Sequence, residues 1–264
     1  MDAMYSVMRG ILALAASMAL VIGPSAGISQ AAQQAPEPGF AVAAIEPAAG
    51  SVVGVAYPVI VTFAGPVSDR AAAERGIHIA VSGKAVSGKK TTGNPTGHFE
   101  WVSPDVVQWI PAGYWSPHST ISVDAHGMST GFETGDAVVA VADISEHTFT
   151  VSVNGEMLRV MPASMGKPKR PTPIGSFTAL SKERSIKFDS RTIGIPLNDP
   201  EGYLIDGQYG VRVTWGGVYV HSAPWSVGSQ GYANVSHGCI NLSPDNAAWY
   251  FDSVHLGDPI IVQA

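Results

Sequence analysis

Over much of the chain, apolar positions recur with a period of two, in short runs broken by proline and glycine. "SVVGVAYPVIVTFAGPV" (residues 51–67) alternates apolar and small residues and is punctuated by Pro58 and Pro66. A strand turns successive side chains to opposite faces, so this pattern predicts short, half-buried strands. "GHFEWVSPDVVQWIPAGYW" (97–115) predicts two strands joined at Ser-Pro-Asp, with Trp101 and Trp109 as core candidates. "STISVDA" (119–125) predicts a closing strand. So many short strands within residues 41–125 predict a small immunoglobulin-like β-sandwich.

Residues 126–136, "HGMSTGFETGD", read as a connection to a second β-rich domain over 137–264. "HTFTVSVNGEMLRVMPAS" (147–164) predicts two strands around Asn154-Gly155, a strong hairpin signal. "GKPKRPTPIGSF" (166–177) is a turn region leading into a further strand. "SKERSIKFDSRTIGIPLNDPEGYLIDG" (181–207) is long and polar with few core candidates, which predicts a mobile flap over a site. "YGVRVTWGGVYVHSAPW" (209–225) predicts two strands around Gly216-Gly217 that deliver His221 at a strand end. "LSPDNAAWYFDSV" (242–254) is the clearest helix: Ser243 caps it, Pro244 suits its first turn and Asp245 complements its dipole. "DPIIVQA" (258–264) is a last strand. The fold class is therefore mainly β, a sandwich followed by a β-rich domain with one short helix.

The first forty residues break the pattern. An uncharged apolar run at 11–23, preceded by Arg9 and followed by small residues, reads as a secretory signal over 1–31. The run is shorter than the ~18–20 residues of a membrane span, although an uncleaved signal would act as an anchor. Ala-, Gln- and Pro-rich residues 32–40 read as a linker. The expectation is an exported protein of the periplasm or cell wall.

Composition narrows the function classes. With 264 residues, 45% of them hydrophobic, the chain can bury two modest cores. A net charge of −6 argues against nucleic acid as a partner. The basic loop carrying Lys84, Lys89 and Lys90 reads as solvated, with an anionic wall polymer as the alternative contact. One cysteine cannot form an internal disulfide, so in an oxidising compartment Cys239 gains weight as a chemical group.

Cys239 lies in "HSAPWSVGSQGYANVSHGCIN" (221–241), between a nucleophile, a metal ligand and a small buried side chain as readings. A thiol attacks as thiolate, and an imidazole can take its proton and return it to a leaving amine. His237 stands two residues before it and His221 eighteen. A neighbour two residues away along an extended chain faces the sulfur poorly, whereas one on an adjacent strand can face it squarely, which favours His221 as base. Gly238 permits a sharp turn, and the N–H groups of Gly238 and Cys239 are candidate oxyanion donors. No Asp adjoins His221, so a backbone carbonyl or Ser222 would orient the ring. His-x-Cys with a further His also suits zinc, but the chain has no HExxH or CxxC, and no cofactor is expected.

The spacing of His221, fourteen residues, then Ser236-His237-Gly238-Cys239-Ile240-Asn241 resembles the signature of the L,D-transpeptidase (YkuD-type) catalytic domain. "NGEMLRVMPASMGKPKRPTPIGSF" and "GVYVHSAPW" extend that resemblance, and the preceding immunoglobulin-like unit is similar to the mycobacterial members. The resemblance implies an exported enzyme of peptidoglycan maturation. Cys239 would attack a donor tetrapeptide stem at diaminopimelate, releasing D-Ala, and an acceptor stem would resolve the acyl-enzyme to a 3→3 cross-link. It implies His221 as base, the Ser222 backbone as its orienter, and oxyanion donors around His237, Gly238 and Cys239. Tyr203, Trp225 and Asn241 would line the substrate cleft. Phe188 and Ile193 stand where some relatives carry methionine and tyrosine. Carbapenems are expected to acylate the cysteine of a monomer. Hydrolysis of the same acyl-enzyme by water, a non-catalytic wall-binding module and a zinc peptidase remain the alternatives.

Overall fold

The computed structural model describes residues 40–84 and 90–264. The apolar run, its small-residue cleavage site, the body of the linker and Lys89 lie outside the described residues.

The first domain is a two-sheet sandwich. Strands β1 (Val42–Glu46), β2 (Val52–Val53) and β3 (Val59–Phe63) are followed by a helix, α1 (Arg70–Arg75). Strands β4 (Ile77–Lys84), β5 (Lys90–Gly93), β6 (Gly97–Trp101), β7 (Val106–Pro111), β8 (Ser119–Ala125) and β9 (Met128–Thr134) complete it. One sheet runs β1-β3-β7-β6 and the other β2-β9-β8-β4-β5. Their inner faces alternate inward as the pattern predicts, burying Val61, Val107, Trp109, Trp115, Ile121 and Phe132. Trp109 stacks on Trp115 at 5.5 Å, whereas Trp101 sits at the rim, where its Nε1 donates to Glu74 at 2.7 Å.

Two elements here differ from expectation. The short helix α1 starts where Asp69 accepts the Ala72 N–H at 2.9 Å, a cap ahead of too few residues to show a period. Residues 126–136 are not a free connection, because β9 occupies most of them and pairs with β8 from Ala125↔Met128 onward. His126 (φ 49°) and Gly127 (φ 89°) both take the left-handed conformation that a two-residue hairpin requires. Among the β9 residues only Phe132 and Thr134 are buried, too few for an alternation to show.

The second domain holds β10 (Val138–Asp143), β11 (Thr148–Val153), β12 (Glu156–Pro162) and β13 (Gly175–Thr178). Then come β14 (Ser181–Asp189), β15 (Leu204–Arg212), β16 (Tyr219–Ser222), β17 (Ile240–Leu242), α2 (Pro244–Ser253) and β18 (Pro259–Gln263). One sheet runs β12-β11-β10-β18-β13 and the other β14-β15-β16-β17. Helix α2 is capped by Ser243 as expected and turns Ala247, Tyr250 and Phe251 inward, with Tyr250 edge-on to Phe149 at 4.8 Å. This core also takes in Ile240 and Leu242, so the strand behind the motif cysteine is anchored in the most buried part of the domain.

Nearly half of the stretch expected to be a flap is sheet. β14 and β15 pair antiparallel from Ser181↔Arg212 to Asp189↔Leu204, and only residues 190–203 connect them. β14 buries just Ile186, so its sequence looks like a polar loop although its backbone pairs with β15 along nearly its whole length.

Only three residues, 135–137, separate β9 from β10. The domains also meet elsewhere: the Gly54 and Ala56 N–H groups donate to the Leu256 and Gly257 carbonyls at 2.7 and 2.9 Å. Asp258, fully buried, accepts from the Val55 and His255 N–H groups. A Cβ on Gly54 would lie 2.1 Å from the Asp258 nitrogen, so only glycine permits this approach.

Candidate active site

β16 and β17 run parallel at the heart of the site, with His221 beside Asn241 in register. Both side chains are 3% exposed. Cys239 is the residue before β17, and it shares one cavity of about 450 Å³ with His221, Asn241, Phe188, Tyr203, Trp225 and His237.

The imidazole of His221 is set by its surroundings. A carbonyl can only accept, so Nδ1 carries the proton it donates to the Ser222 oxygen at 2.8 Å, and Nε2 presents its lone pair. The Phe188 and Trp225 rings lie 4.4 and 5.9 Å from the imidazole, centre to centre. Burial pushes His221 down to about 4, so it is neutral at pH 7. Burial likewise pushes the Cys239 thiol up to about 12. The resting pair is thus an uncharged thiol and an uncharged base, and the thiol's hydrogen-bond partner is the Gly217 carbonyl at 3.7 Å.

The comparisons with known proteins bear on this constellation. Residues 137–262 match the model of the L,D-transpeptidase catalytic domain (YkuD), and residues 33–129 that of a bacterial Ig domain. L,D-transpeptidase 1 of Mycobacterium tuberculosis is 60% identical over 259 residues, which cover 98% of this chain and 99% of the relative. The chain belongs to the L,D-transpeptidase family. Probable L,D-transpeptidase 3 of the same organism is 45% identical over the whole of both chains. Among solved structures, LD transpeptidase LdtMt1 in complex with imipenem has a TM-score of 0.77 at 64% identity, covering 85% of this chain and 99% of that one. An L,D-transpeptidase from Mycobacterium smegmatis has a TM-score of 0.76 at 64% identity, with the same coverage.

In this L,D-transpeptidase, three residues expected at the site do not line the cavity. Ser222 meets His221 through its carbonyl, Ile193 offers its carbonyl to Arg170 Nη1 at 3.4 Å, and Gly238 lies behind the nucleophile. Gly238 has φ +122°, and an added Cβ would meet nothing closer than 3.8 Å, so glycine serves the backbone conformation there and not the space. Its N–H donates to Ser236 Oγ at 3.1 Å. Of the two oxyanion donors expected from this loop, the Gly238 N–H is therefore already engaged, which leaves the Cys239 N–H.

His237 sits in a charged cluster that the motif does not announce. Lys167 Nζ donates to Glu201 Oε1 at 2.6 Å and to His237 Nε2 at 3.2 Å. Burial, then the Lys167 charge, holds His237 below its ordinary value, and Lys167 does the same to Glu201. Lys167 lies in the Pro/Gly-rich turn region and Glu201 in the β14–β15 connection. Polar residues in two loops far apart in sequence give no period by which to join them. Thr172 and Ser226 were missed for the same reason: Thr172 Oγ1 donates to the Gly238 carbonyl at 2.9 Å, and Ser226 Oγ accepts from Asn241 Nδ2 at 3.1 Å. Among the described residues, no group of three or more His, Cys, Asp or Glu is placed to hold a metal.

Proposed function

We propose that this enzyme forms 3→3 cross-links between diaminopimelate residues of peptidoglycan stems through an acyl-enzyme on Cys239. The observation that carries the reading is one cavity holding a lone thiol and a neutral imidazole whose Nδ1 is tied to the Ser222 carbonyl. His221 Nε2 takes the thiol proton as sulfur leaves the Gly217 carbonyl and adds to the donor's diaminopimelate carbonyl. The C–N bond to D-Ala then breaks, and the imidazolium returns its proton to the leaving amine. The side-chain amine of an acceptor diaminopimelate then attacks the thioester as His221 Nε2 takes a proton from it; the C–S bond breaks, an amide forms, and the imidazolium returns that proton to the sulfur. His237 is the poorer base, because Lys167 already occupies its Nε2.

Tyr203, Trp225 and Phe188 supply apolar walls for the stem. Asn241 lines the same cavity, with Nδ2 held by Ser226 and Oδ1 buried without a donor among the described residues. On this reading carbapenems would acylate the same sulfur, and the apolar run at 11–23 supports a place of action outside the cytoplasm.

The test incubates the purified protein with a disaccharide tetrapeptide and follows products by mass spectrometry. A 3→3 dimer with released D-Ala supports the reading, and tripeptide without dimer means hydrolysis instead. Cys239→Ala should give neither, and retained cross-linking in that variant would end the proposal.

A further inference from the structure

We infer that Thr172 is a positioning residue that aims the Cys239 N–H at the oxyanion of the reaction, an inference that rests on the acyl-enzyme reading above. A trans peptide unit is rigid and planar, and its C=O and N–H point in opposite directions. Whatever holds the Gly238 carbonyl therefore sets where the Cys239 N–H points. That carbonyl accepts from Thr172 Oγ1 at 2.9 Å.

The unit needs such a hold. At φ +122°, Gly238 lacks the steric walls that a side chain gives, so the plane is free to swing unless gripped from the side. Thr172 is 2% exposed, and its hydroxyl also accepts the Gly166 N–H at 2.9 Å, which fixes the direction in which its own proton points. Ser236 holds the neighbouring units, accepting from the Gly238 N–H at 3.1 Å and donating to the Cys239 carbonyl at 2.6 Å. Two hydroxyls thus brace the carbonyls on either side of the Cys239 nitrogen, and Gly238 spends its own N–H inside the loop. A hydrogen bond accepted by the Gly238 carbonyl also polarises the peptide and strengthens its N–H as a donor. When sulfur adds to an acyl carbonyl, the carbonyl π pair moves to oxygen and needs such a donor.

The experiment separates reactions that develop an oxyanion from one that does not. Imipenem acylation of Cys239 opens the lactam through a tetrahedral oxyanion, whereas iodoacetamide alkylates the same sulfur by displacing iodide and forms none. Thr172→Val keeps the branched shape and removes the hydroxyl; Thr172→Ser keeps the hydroxyl. Rates are measured by mass spectrometry, and kcat and KM on tetrapeptide stem. Thr172→Val should slow imipenem acylation and lower kcat by about tenfold or more, with KM and the iodoacetamide rate within about twofold. Thr172→Ser should restore acylation to within about threefold. An equal fall in both rates would make Thr172 a prop for the sulfur or for the fold and overturn the inference, as would unchanged acylation in Thr172→Val. Acyl adducts on Cys239→Ala would instead remove the acyl-enzyme reading, and this inference with it.

Discussion

At the residue scale, the site is governed by burial acting on two groups in opposite senses. The same dry surroundings that keep the proton on Cys239 keep it off His221, so base and acid are held apart by environment and not by a charged partner. The depressed value for His221 has a consequence for stability. Because the folded state disfavours the imidazolium, the unfolded state binds more protons between the ordinary value of 6.5 and about 4. Stability is then complete above the upper value and falls as pH drops through this window, by up to about 3 kcal/mol. His237 is shifted in the same sense, so the wild type must be compared with His221→Gln in urea unfolding from pH 7 to pH 4. A shallower loss is expected in the variant. Acylation by imipenem should likewise persist well below pH 6.5, where an ordinary histidine would be half protonated. A rate that halves near pH 6.5 would contradict the neutral base.

At the element scale, the β14–β15 connection is joined to the turn after β12 by Lys167–Glu201, with Arg170 reaching the Ile193 carbonyl beside it. Both partners are partly exposed, so the pair adds little to global stability, and its effect should be local. Glu201→Gln is expected to leave the unfolding midpoint nearly unchanged while amides in 194–203 exchange faster, measured by hydrogen-exchange mass spectrometry. Unchanged exchange there would mean the pair holds nothing. What the sequence revealed at this scale follows from how each element buries its side chains. β8, with Ile121, Val123 and Ala125 facing in, and α2, with its cap and apolar stripe, were legible because pattern and burial coincide. β14 was not, because its stability lies in a backbone ladder that leaves side chains free to be polar. β9 was hidden by a His-Gly turn in place of Asn-Gly. The motif cysteine and the two histidines were legible as chemistry, yet the hydroxyls of Thr172 and Ser226, which hold the Gly238 carbonyl and the Asn241 side chain, were not. A hydroxyl that hydrogen-bonds to a distant carbonyl or amide leaves no periodic trace.

At the scale of the whole molecule, the two domains are joined by main chain as well as by their short connection. Asp136 accepts from His118 and Asn154, and the Asn154 side chain accepts the Ala137 N–H, so the connection itself is tied to both domains. Gly54→Ala should wedge the Asp258 backbone away and cost roughly 1–3 kcal/mol, seen as a lower thermal midpoint. Asp258→Ala should cost a similar amount, because the Val55 and His255 N–H groups lose a buried acceptor. In either variant the first domain should separate from the second as an earlier step in calorimetry. A midpoint equal to that of the wild type would show that the joint is not under this control.

The joint also sets how the molecule answers a pull. Tension applied between the outer end of the sandwich and the catalytic domain meets the Gly54–Leu256 and Ala56–Gly257 hydrogen bonds before it can extend the three-residue connection. In an optical trap the first rupture should therefore be a discrete event at appreciable force, with no soft, low-force lengthening ahead of it. A load reaching the sandwich would pass through Leu256 and Gly257 to β18, which follows them, and so to the sheet of the catalytic domain.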